Sequence, residues 1–187
     1  MIREVILTTI SAEGVPHIAP LGLVQAAEED EEHWIVAPFA PSRTLDNIAA
    51  TGLAVANYTD DPLIFAGCLT GRKDWLLTPL PDVKVPRLGA ALAHDVLQVV
   101  SVEEDPQRPR FTCAVVQSAT HAPFTGMNRA RAAIVELAIL VSRLHLLPRE
   151  KVEAEIGYLS IGLEKTGGAK ERLAWQWLME RVNSHYG

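Results

Sequence analysis

Three consecutive side chains, Ser42, Arg43 and Thr44, have the chemistry to bind a phosphate group. Each hydroxyl can donate a hydrogen bond, and the guanidinium of Arg43 can donate two at once. The run lies where a short helix is predicted to begin, and the unpaired N–H groups of a helix start favour an anion. The spacing therefore points to a phosphorylated ligand. The alternative is an ordinary N-cap followed by a surface arginine, and the residues alone leave the two interpretations even.

Polar residues that follow this run are further candidates for the same ligand. Asn47 lies one helical turn along and either reaches the anion or satisfies the backbone. Asn57 and Thr59 close the strand after the helix, and we hypothesise that they face the ligand, although Asn, Thr and Asp before a proline are also typical turn residues. Asp60 and Asp61 do not predict a metal site, because no third oxygen ligand follows at calcium-loop spacing.

A second pair of candidates, Asn128 and the cationic Arg129, lies at the start of a long predicted helix. An arginine is electrostatically unfavourable there, because the helix dipole prefers anions at this end. A bound anion would remove the conflict. The alternative is a salt bridge with a nearby Asp or Glu, which is the usual fate of an arginine.

No residue is assigned a catalytic role. His17, His121 and His145 stand alone in the sequence, and a lone histidine is more often structural. No Ser-His-Asp or Cys-His arrangement is readable. Cys68 and Cys113 are far apart and form neither a disulfide framework nor a zinc signature, which fits a reducing compartment.

The elements that position these residues are mainly β in the first two thirds of the chain. Pro16 and Pro20 interrupt the second β-rich run and indicate an edge strand or a bulge. The acidic run 28–32 is interpreted as a solvated hairpin tip. Residues 72–88 are proline-rich and receive no assignment. Strands are predicted over residues 4–10, 15–25, 33–39, 53–58, 93–103 and 110–120, and helices over residues 44–51 and 62–71. Six or so strands with one inserted helix predict a small closed or nearly closed barrel.

The remaining third is predicted to be helical. Apolar residues recur at helical spacing from Met127 onward, a second helix begins near Pro148, and Gly167-Gly168 separates a third. We therefore predict a domain of residues 1–125 and a helical subdomain of residues 126–187. The apolar face of the first of these helices is too long for so small a bundle to bury, so it must pack on the barrel or on another copy of the chain. A homodimer is the simplest solution.

Composition narrows the classes of protein. The chain has 187 residues, of which 48% are hydrophobic, and a net charge of −6. That balance argues against a nucleic-acid binder built on a basic surface. Neither a signal peptide nor a membrane-spanning run is visible, so we expect a cytoplasmic protein without a membrane partner.

Taken together, the motifs resemble the family known as domain of unknown function 447. The resemblance covers nearly the whole chain and is carried by the motifs Glu13-Gly14-x-Pro16-His17, Ala19-Pro20-Leu21-Gly22, Pro38-Phe39, Ser42-Arg43-Thr44-Leu45-x-Asn47-Ile48, Thr51-Gly52, Asn57-x-Thr59-Asp60-Asp61-Pro62, Phe124-x-x-x-Asn128-Arg129-Ala130, Glu136 and Arg143-Leu144-His145. This family belongs to the FMN-binding split-barrel class, beside flavin reductases and pyridoxamine-phosphate-oxidase-like proteins.

The resemblance implies a mainly antiparallel, Greek-key-like split β-barrel with a C-terminal helical subdomain. It further implies a homodimer that holds FMN between its subunits, with the phosphate on Ser42, Arg43 and Thr44. Pro20, Leu21 and Gly22 would then run beside the isoalloxazine ring; the alternative for Gly22 is a bulge in the barrel wall. Arg129 would reach the phosphate held by the partner subunit.

The activity implied is that of an oxidoreductase acting on a small molecule, with a nicotinamide or a deazaflavin as electron donor. Two alternatives stay open. One is a non-catalytic flavin carrier, sensor or partner protein in a cofactor or one-carbon pathway. The other is a dimeric scaffold that has lost its ligand.

Overall fold

The structure is a computed structural model that describes residues 1–27 and 32–187. These residues form two compact units, of which the first contains Met1–Thr59 and Trp75–Pro123, and the second contains Asp60–Asp74 and Phe124–Gly187. The predicted domain boundary at residues 125/126 stays a prediction, and it assigns residues 60–74 to the first domain. Apart from Glu32, the predicted acidic hairpin tip lies outside the described residues.

The first unit is a barrel. Its strands are β1 (Ile2–Ile10), β2 (Pro16–Gln25), β3 (His33–Val36), β4 (Leu53–Tyr58), β5 (Leu77–Leu80), β6 (Val83–Leu88), β7 (Ala93–Glu103) and β8 (Arg110–Thr120). Six of them follow the order β1-β2-β3-β8-β7-β4, and pairing of β1 with β4 closes the barrel. Every pairing is antiparallel. This confirms the predicted split-barrel fold class.

The barrel interior is an apolar cluster to which one helix contributes a side chain. Helix α1 (Arg43–Thr51) lies between β3 and β4 in the chain, and its Ile48 is 1% exposed within the cluster. Leu21 of β2 and Leu45 of α1 pack against the same cluster. The cluster consists of Val5, Leu7, Leu23, Trp34, Val36, Ile48, Ala54, Ala56, Leu97, Phe111 and Cys113. Because strand side chains alternate between two faces, the residues between these ones point outward.

Strands β5 and β6 form a hairpin that the sequence prediction missed. A proline in each strand hides the β pattern, yet a two-stranded sheet consists of edges only, where proline is tolerated. The connecting turn places Asp82 at φ 59 directly after Pro81, the pattern of a type II turn. Val85 packs with Val55 and Val96, so the hairpin covers the outer face of β4 and β7.

A buried amide connects this hairpin to the barrel wall. The Asn57 side-chain nitrogen donates to the Ile6 carbonyl at 2.9 Å and to the Thr8 hydroxyl at 2.8 Å, while its oxygen accepts from the Leu88 N–H at 2.7 Å. The residue is 0% exposed. An amide so fully hydrogen-bonded stabilises the fold, since a buried polar group without partners is costly.

Strand β2 has a neighbour on one side only for most of its length. It pairs with β1 from Pro16 to Val24, but with β3 only at Val24 and Gln25. Within the described residues, β1 is the only strand that pairs with residues 18–23, and an edge without a second strand accommodates Pro20. Of the two alternatives predicted for this run, an edge strand or a bulge, the pairing agrees with an edge over residues 18–23.

The second unit is helical. Its helices are α2 (Pro62–Leu69), α3 (Arg129–Ser142), α4 (Arg149–Thr166) and α5 (Ala169–Tyr186), with a short 3₁₀ turn at Leu144–Leu146. Ala66 of α2 lies in one buried cluster with Leu137 of α3 and Leu178 of α5. The three predicted C-terminal helices and the helix begun by Pro62 are thus confirmed. Among the described residues, no helix combines the length and apolarity needed to cross a bilayer.

Candidate functional site

The phosphate-binding candidates lie at the first turn of α1. Ser42 is the N-cap residue, and its hydroxyl accepts a hydrogen bond from the Leu45 N–H at 3.3 Å. The ordinary capping interaction is therefore present. It occupies the Ser42 oxygen as an acceptor and leaves its hydroxyl hydrogen free to be donated, because a hydroxyl can do both.

Arg43 and Thr44 provide the donors of this turn. Arg43 is exposed, and Thr44 is 4% exposed. In the part of the chain that the structure describes, the two backbone N–H groups and the Arg43 guanidinium make no hydrogen bond or ion pair. Asp46, the acidic residue of the first turn, is exposed and is not paired with Arg43. The turn therefore keeps a cationic side chain and two helix-start N–H groups available for an anion.

Asn47 is placed differently from these three residues. Its side chain is 7% exposed and donates to the Thr9 hydroxyl of β1 at 3.0 Å. This bond fixes α1 against the barrel wall. A role of Asn47 at an anion stays a prediction, while its structural role is direct.

The three β2 candidates divide between the two faces of the strand. Leu21 packs against the barrel interior, whereas Pro20 and Gly22 face outward. A Cβ atom at residue 22 would lie 3.0 Å from Cγ2 of Ile2 and 3.4 Å from a carboxylate oxygen of Glu4. Glycine at this position therefore makes room for the side chains of β1. Helix α1 contacts β2.

The residues that close β4 contact the protein itself. Asn57 is bonded within the barrel wall, as described above. The hydroxyl of Thr59 lies 3.5 Å from the Ala90 carbonyl. Their predicted contact with a ligand is untested, and each has a structural partner in the chain.

Asn128 and Arg129 lie in the helical unit. Asn128 caps α3: its side-chain oxygen accepts from the N–H groups of Ala130 and Arg131 at 2.8 and 3.1 Å, and its nitrogen donates to the Thr166 carbonyl at 3.1 Å. Arg129 is exposed and makes no hydrogen bond or ion pair with the described residues. The salt bridge considered for it belongs to a different arginine.

That arginine is Arg131, which sequence reasoning missed. Its guanidinium is paired with Asp60 and, at 3.0 Å, with Glu171. Glu171 also accepts from the Gly168 N–H at 3.0 Å, at the start of α5. Burial alone would raise the pKa of Glu171, but the hydrogen bonds from Arg131 and from the backbone outweigh it and hold this pKa below 4.5. Local sequence gives no signal for this network, because its members come from three distant segments.

Other groups with reactive chemistry are held inactive. Burial raises the pKa of the Cys68 and Cys113 thiols to about 12, so both are protonated and poor nucleophiles at neutral pH. Within residues 1–27 and 32–187, no cluster of three or more His, Cys, Asp or Glu side chains could hold a metal ion.

The six-stranded barrel, in which β2 pairs along its length with β1 but only at its end with β3, places the chain in the split-barrel class. Solved structures agree. A crystal structure of an FMN-bound protein from Methanosarcina mazei has a TM-score of 0.81 at 22% identity, covering 96% of this chain and 94% of that one. The 2-nitrobenzoate 2-nitroreductase of Pseudomonas fluorescens has a TM-score of 0.52 at 20% identity, over 64% of this chain and 65% of its own. Flavoredoxin from Methanosarcina acetivorans has a TM-score of 0.53 at 14% identity, over 64% and 69%.

The chain belongs to the protein family of unknown function DUF447. The model of the family's N-terminal domain matches residues 3–122, and its second model matches residues 128–180. This confirms the family resemblance inferred from the motifs. No curated protein matches the chain.

The Arg131 network predicts a difference between two neighbouring arginines. Replacing Arg131 by Ala leaves the buried Glu171 carboxylate without its cation, and we expect the free energy of unfolding to fall by about 2–3 kcal/mol, at the low end for such pairs because Arg131 is partly exposed. Arg129→Ala is the matched control and should stay within about 0.5 kcal/mol. Urea denaturation of the purified protein, followed by circular dichroism, measures both. Equal effects of the two substitutions would contradict the assignment.

Proposed function

We propose that this protein binds FMN as a homodimer and acts as a flavin-dependent oxidoreductase on a small molecule. The observation that carries the proposal is the likeness, over nearly the whole chain, to the FMN-bound protein from Methanosarcina mazei. That likeness includes both the barrel and the helical unit. The residues of this chain then supply the chemical arguments for the ligand.

The phosphate of FMN is proposed to bind at the start of α1. A dianionic phosphate needs several donors and a positive field, and the turn offers the Arg43 guanidinium, the backbone N–H groups of Arg43 and Thr44, and the hydroxyl of Ser42. These donors lie on a helix whose Ile48 is buried in the barrel core, so they are held in place. Asn47 supports this turn through Thr9.

The isoalloxazine ring is proposed to lie along β2. The ring carries polar atoms at its pyrimidine edge, and these need hydrogen-bond partners when water is displaced. Residues 18–23 have backbone N–H and C=O groups on an edge that no described strand covers. The backbone around Pro20, Leu21 and Gly22 can therefore serve the ring without using any side chain. Thr59 is kept as a proposed contact of the ribityl chain, whereas Asn57 is fully buried and hydrogen-bonded within the barrel wall and is not.

The second subunit is proposed to complete the site. Residues 1–125 would supply the phosphate anchor and the strand edge, and residues 126–187 of the other copy would supply Asn128 and Arg129. Arg129 fits this role because it is an exposed cation without an ion pair among the described residues. Aliphatic side chains exposed on barrel strands also favour burial against another copy: Ile2, Val100 and Val116 are 61%, 56% and 54% exposed.

Bound FMN supplies the electron-transfer chemistry, and the protein's part is to bind, orient and shield it. The donor is proposed to be a reduced nicotinamide or a reduced deazaflavin that docks transiently.

The phosphate anchor can be tested by titration with FMN. We expect Arg43→Ala to weaken FMN binding by about 2–4 kcal/mol, because it removes a charge-assisted contact, and Arg43→Lys to weaken it less. Arg110→Ala removes the same charge from an exposed site on β8 and should leave the affinity unchanged. Unchanged affinity of Arg43→Ala would remove this turn from the binding site.

The two-subunit site requires an assembled dimer. Sedimentation velocity of the protein at micromolar concentration should give the mass of two 20.4 kDa chains. Val116→Glu places a charge on the exposed aliphatic surface and should shift the protein towards monomer with loss of FMN, whereas Gln117→Glu at the adjacent exposed position should not. A wild-type monomer that still binds FMN would refute the shared site.

Oxidoreduction is tested separately from binding. Anaerobic stopped-flow mixing of the FMN-loaded protein with a reduced nicotinamide or a reduced deazaflavin follows the loss of oxidised-flavin absorbance. We expect reduction faster than that of free FMN by at least one donor. FMN that stays oxidised with both donors would favour a carrier or sensor, and a protein that takes up no FMN would favour a scaffold.

A further inference from the structure

Two histidines that are distant in the sequence share a hydrogen bond at one end of the barrel. Nδ1 of His94, on β7, lies 2.8 Å from Nε2 of His121, which directly follows β8. The ring planes differ by 2° and the centroids are 5.0 Å apart. This separation is about the nitrogen–nitrogen distance plus roughly one ring diameter. The rings therefore meet edge to edge in one plane, the geometry of a hydrogen bond rather than of a stack.

The surroundings of the pair determine where its protons lie. His94 is 1% exposed, and its Nε2 has no hydrogen-bond partner, whereas His121 is exposed. A buried N–H without an acceptor costs more than a buried lone pair without a donor. His94 therefore carries its proton on Nδ1 and donates it to Nε2 of His121, whose own proton faces water on Nδ1.

Protonation of this pair conflicts with its bridge. The bridge holds one proton, so a third proton on the pair requires both outer nitrogens to be protonated. One of them is the buried Nε2 of His94, which has no acceptor. If His121 instead takes its second proton on Nε2 while His94 keeps Nδ1–H, two donors face each other and the bridge breaks. Added charge therefore opens the contact.

The charged neighbours act mainly in the same direction. Burial, then the neighbouring His121 and then Arg87 lower the pKa of His94 below 6.5, with Asp95 acting in the opposite sense. Burial and then Arg87 lower the pKa of His121 below 6.5 as well. Arg87 donates to the carbonyls of Leu88 and Gly89 and stays beside the pair. The intact bridge is thus the neutral, higher-pH state.

We propose that the His94–His121 bridge is an acid-opened latch, which holds the chain leaving β8 against the start of β7. Two backbone hydrogen bonds depend on it: the N–H groups of His121 and Ala122 both donate to the Leu92 carbonyl, at 2.7 and 3.1 Å. This segment is followed in the chain by the residues that enter the helical unit.

The latch also fixes the direction of a pH effect on stability. Both histidines have folded-state pKa values below the ordinary 6.5. The unfolded chain therefore binds protons first as the pH falls, so the pair's contribution to stability is complete above about 6.5 and is lost progressively below it.

Amide hydrogen exchange tests the latch. Between about pH 8 and about pH 5, after correction for intrinsic exchange rates, protection of the His121 and Ala122 amides should fall by about tenfold or more in the wild type. His121→Gln keeps an acceptor for Nδ1–H of His94 but does not titrate, so it should stay protected at both pH values. His121→Ala removes the bridge and should exchange fast at both.

Protection of core amides such as those of Val5 and Leu7 separates local opening from global unfolding, and it should fall by less than the protection of residues 121 and 122. The proposal is overturned if wild-type protection at residues 121 and 122 is the same at both pH values. It is equally overturned if His121→Gln shows the same pH step, or if the core amides lose as much protection as residues 121 and 122.

Discussion

A strand with a neighbour on one side only leaves a row of backbone groups that must be satisfied by water, a ligand or another chain. Most of β2 is in this situation. The barrel closes where β1 pairs with β4, whereas β3 pairs with β2 only at its last two residues. The opening tolerates prolines in β2, and it provides polar groups on an otherwise apolar wall. The proposed ligand position depends on this gap in the hydrogen-bonding pattern.

In both units polar side chains connect secondary-structure elements, but the kind of contact differs. In the barrel, buried amides connect elements: Asn57 joins the β5–β6 hairpin to the wall, and Asn47 joins α1 to β1. In the helical unit, the first turns of α3 and α5 are joined through Arg131 and Glu171, with Asp60 just ahead of α2. These carboxylates neutralise the positive ends of the helices. Arg129, two residues earlier in the same helix start, has no ion-pair partner among the described residues and remains available.

Local patterns were sufficient for most of the fold. Alternating strands, the Ser42 cap with Gly52 at the end of α1, and apolar spacing in α3 are encoded within a few residues of each other. The β5–β6 hairpin was missed because its prolines hide the alternation. The Arg131–Glu171 pair and the His94–His121 bridge could not be predicted, because they join segments that are close only after folding. The phosphate candidates were recognisable because they are consecutive.

The chain enters the helical unit twice, since α2 lies between β4 and β5 in the sequence. During synthesis α2 appears early, while its packing partners α3 and α5 appear only after the last barrel strand. Helix α2 therefore cannot bury Ala66 and its apolar neighbours until α3 and α5 have been synthesised. Neither unit is a continuous stretch of the chain. Dividing the chain once, after the last barrel strand, would leave α2 with the barrel and remove it from the helices that it packs against.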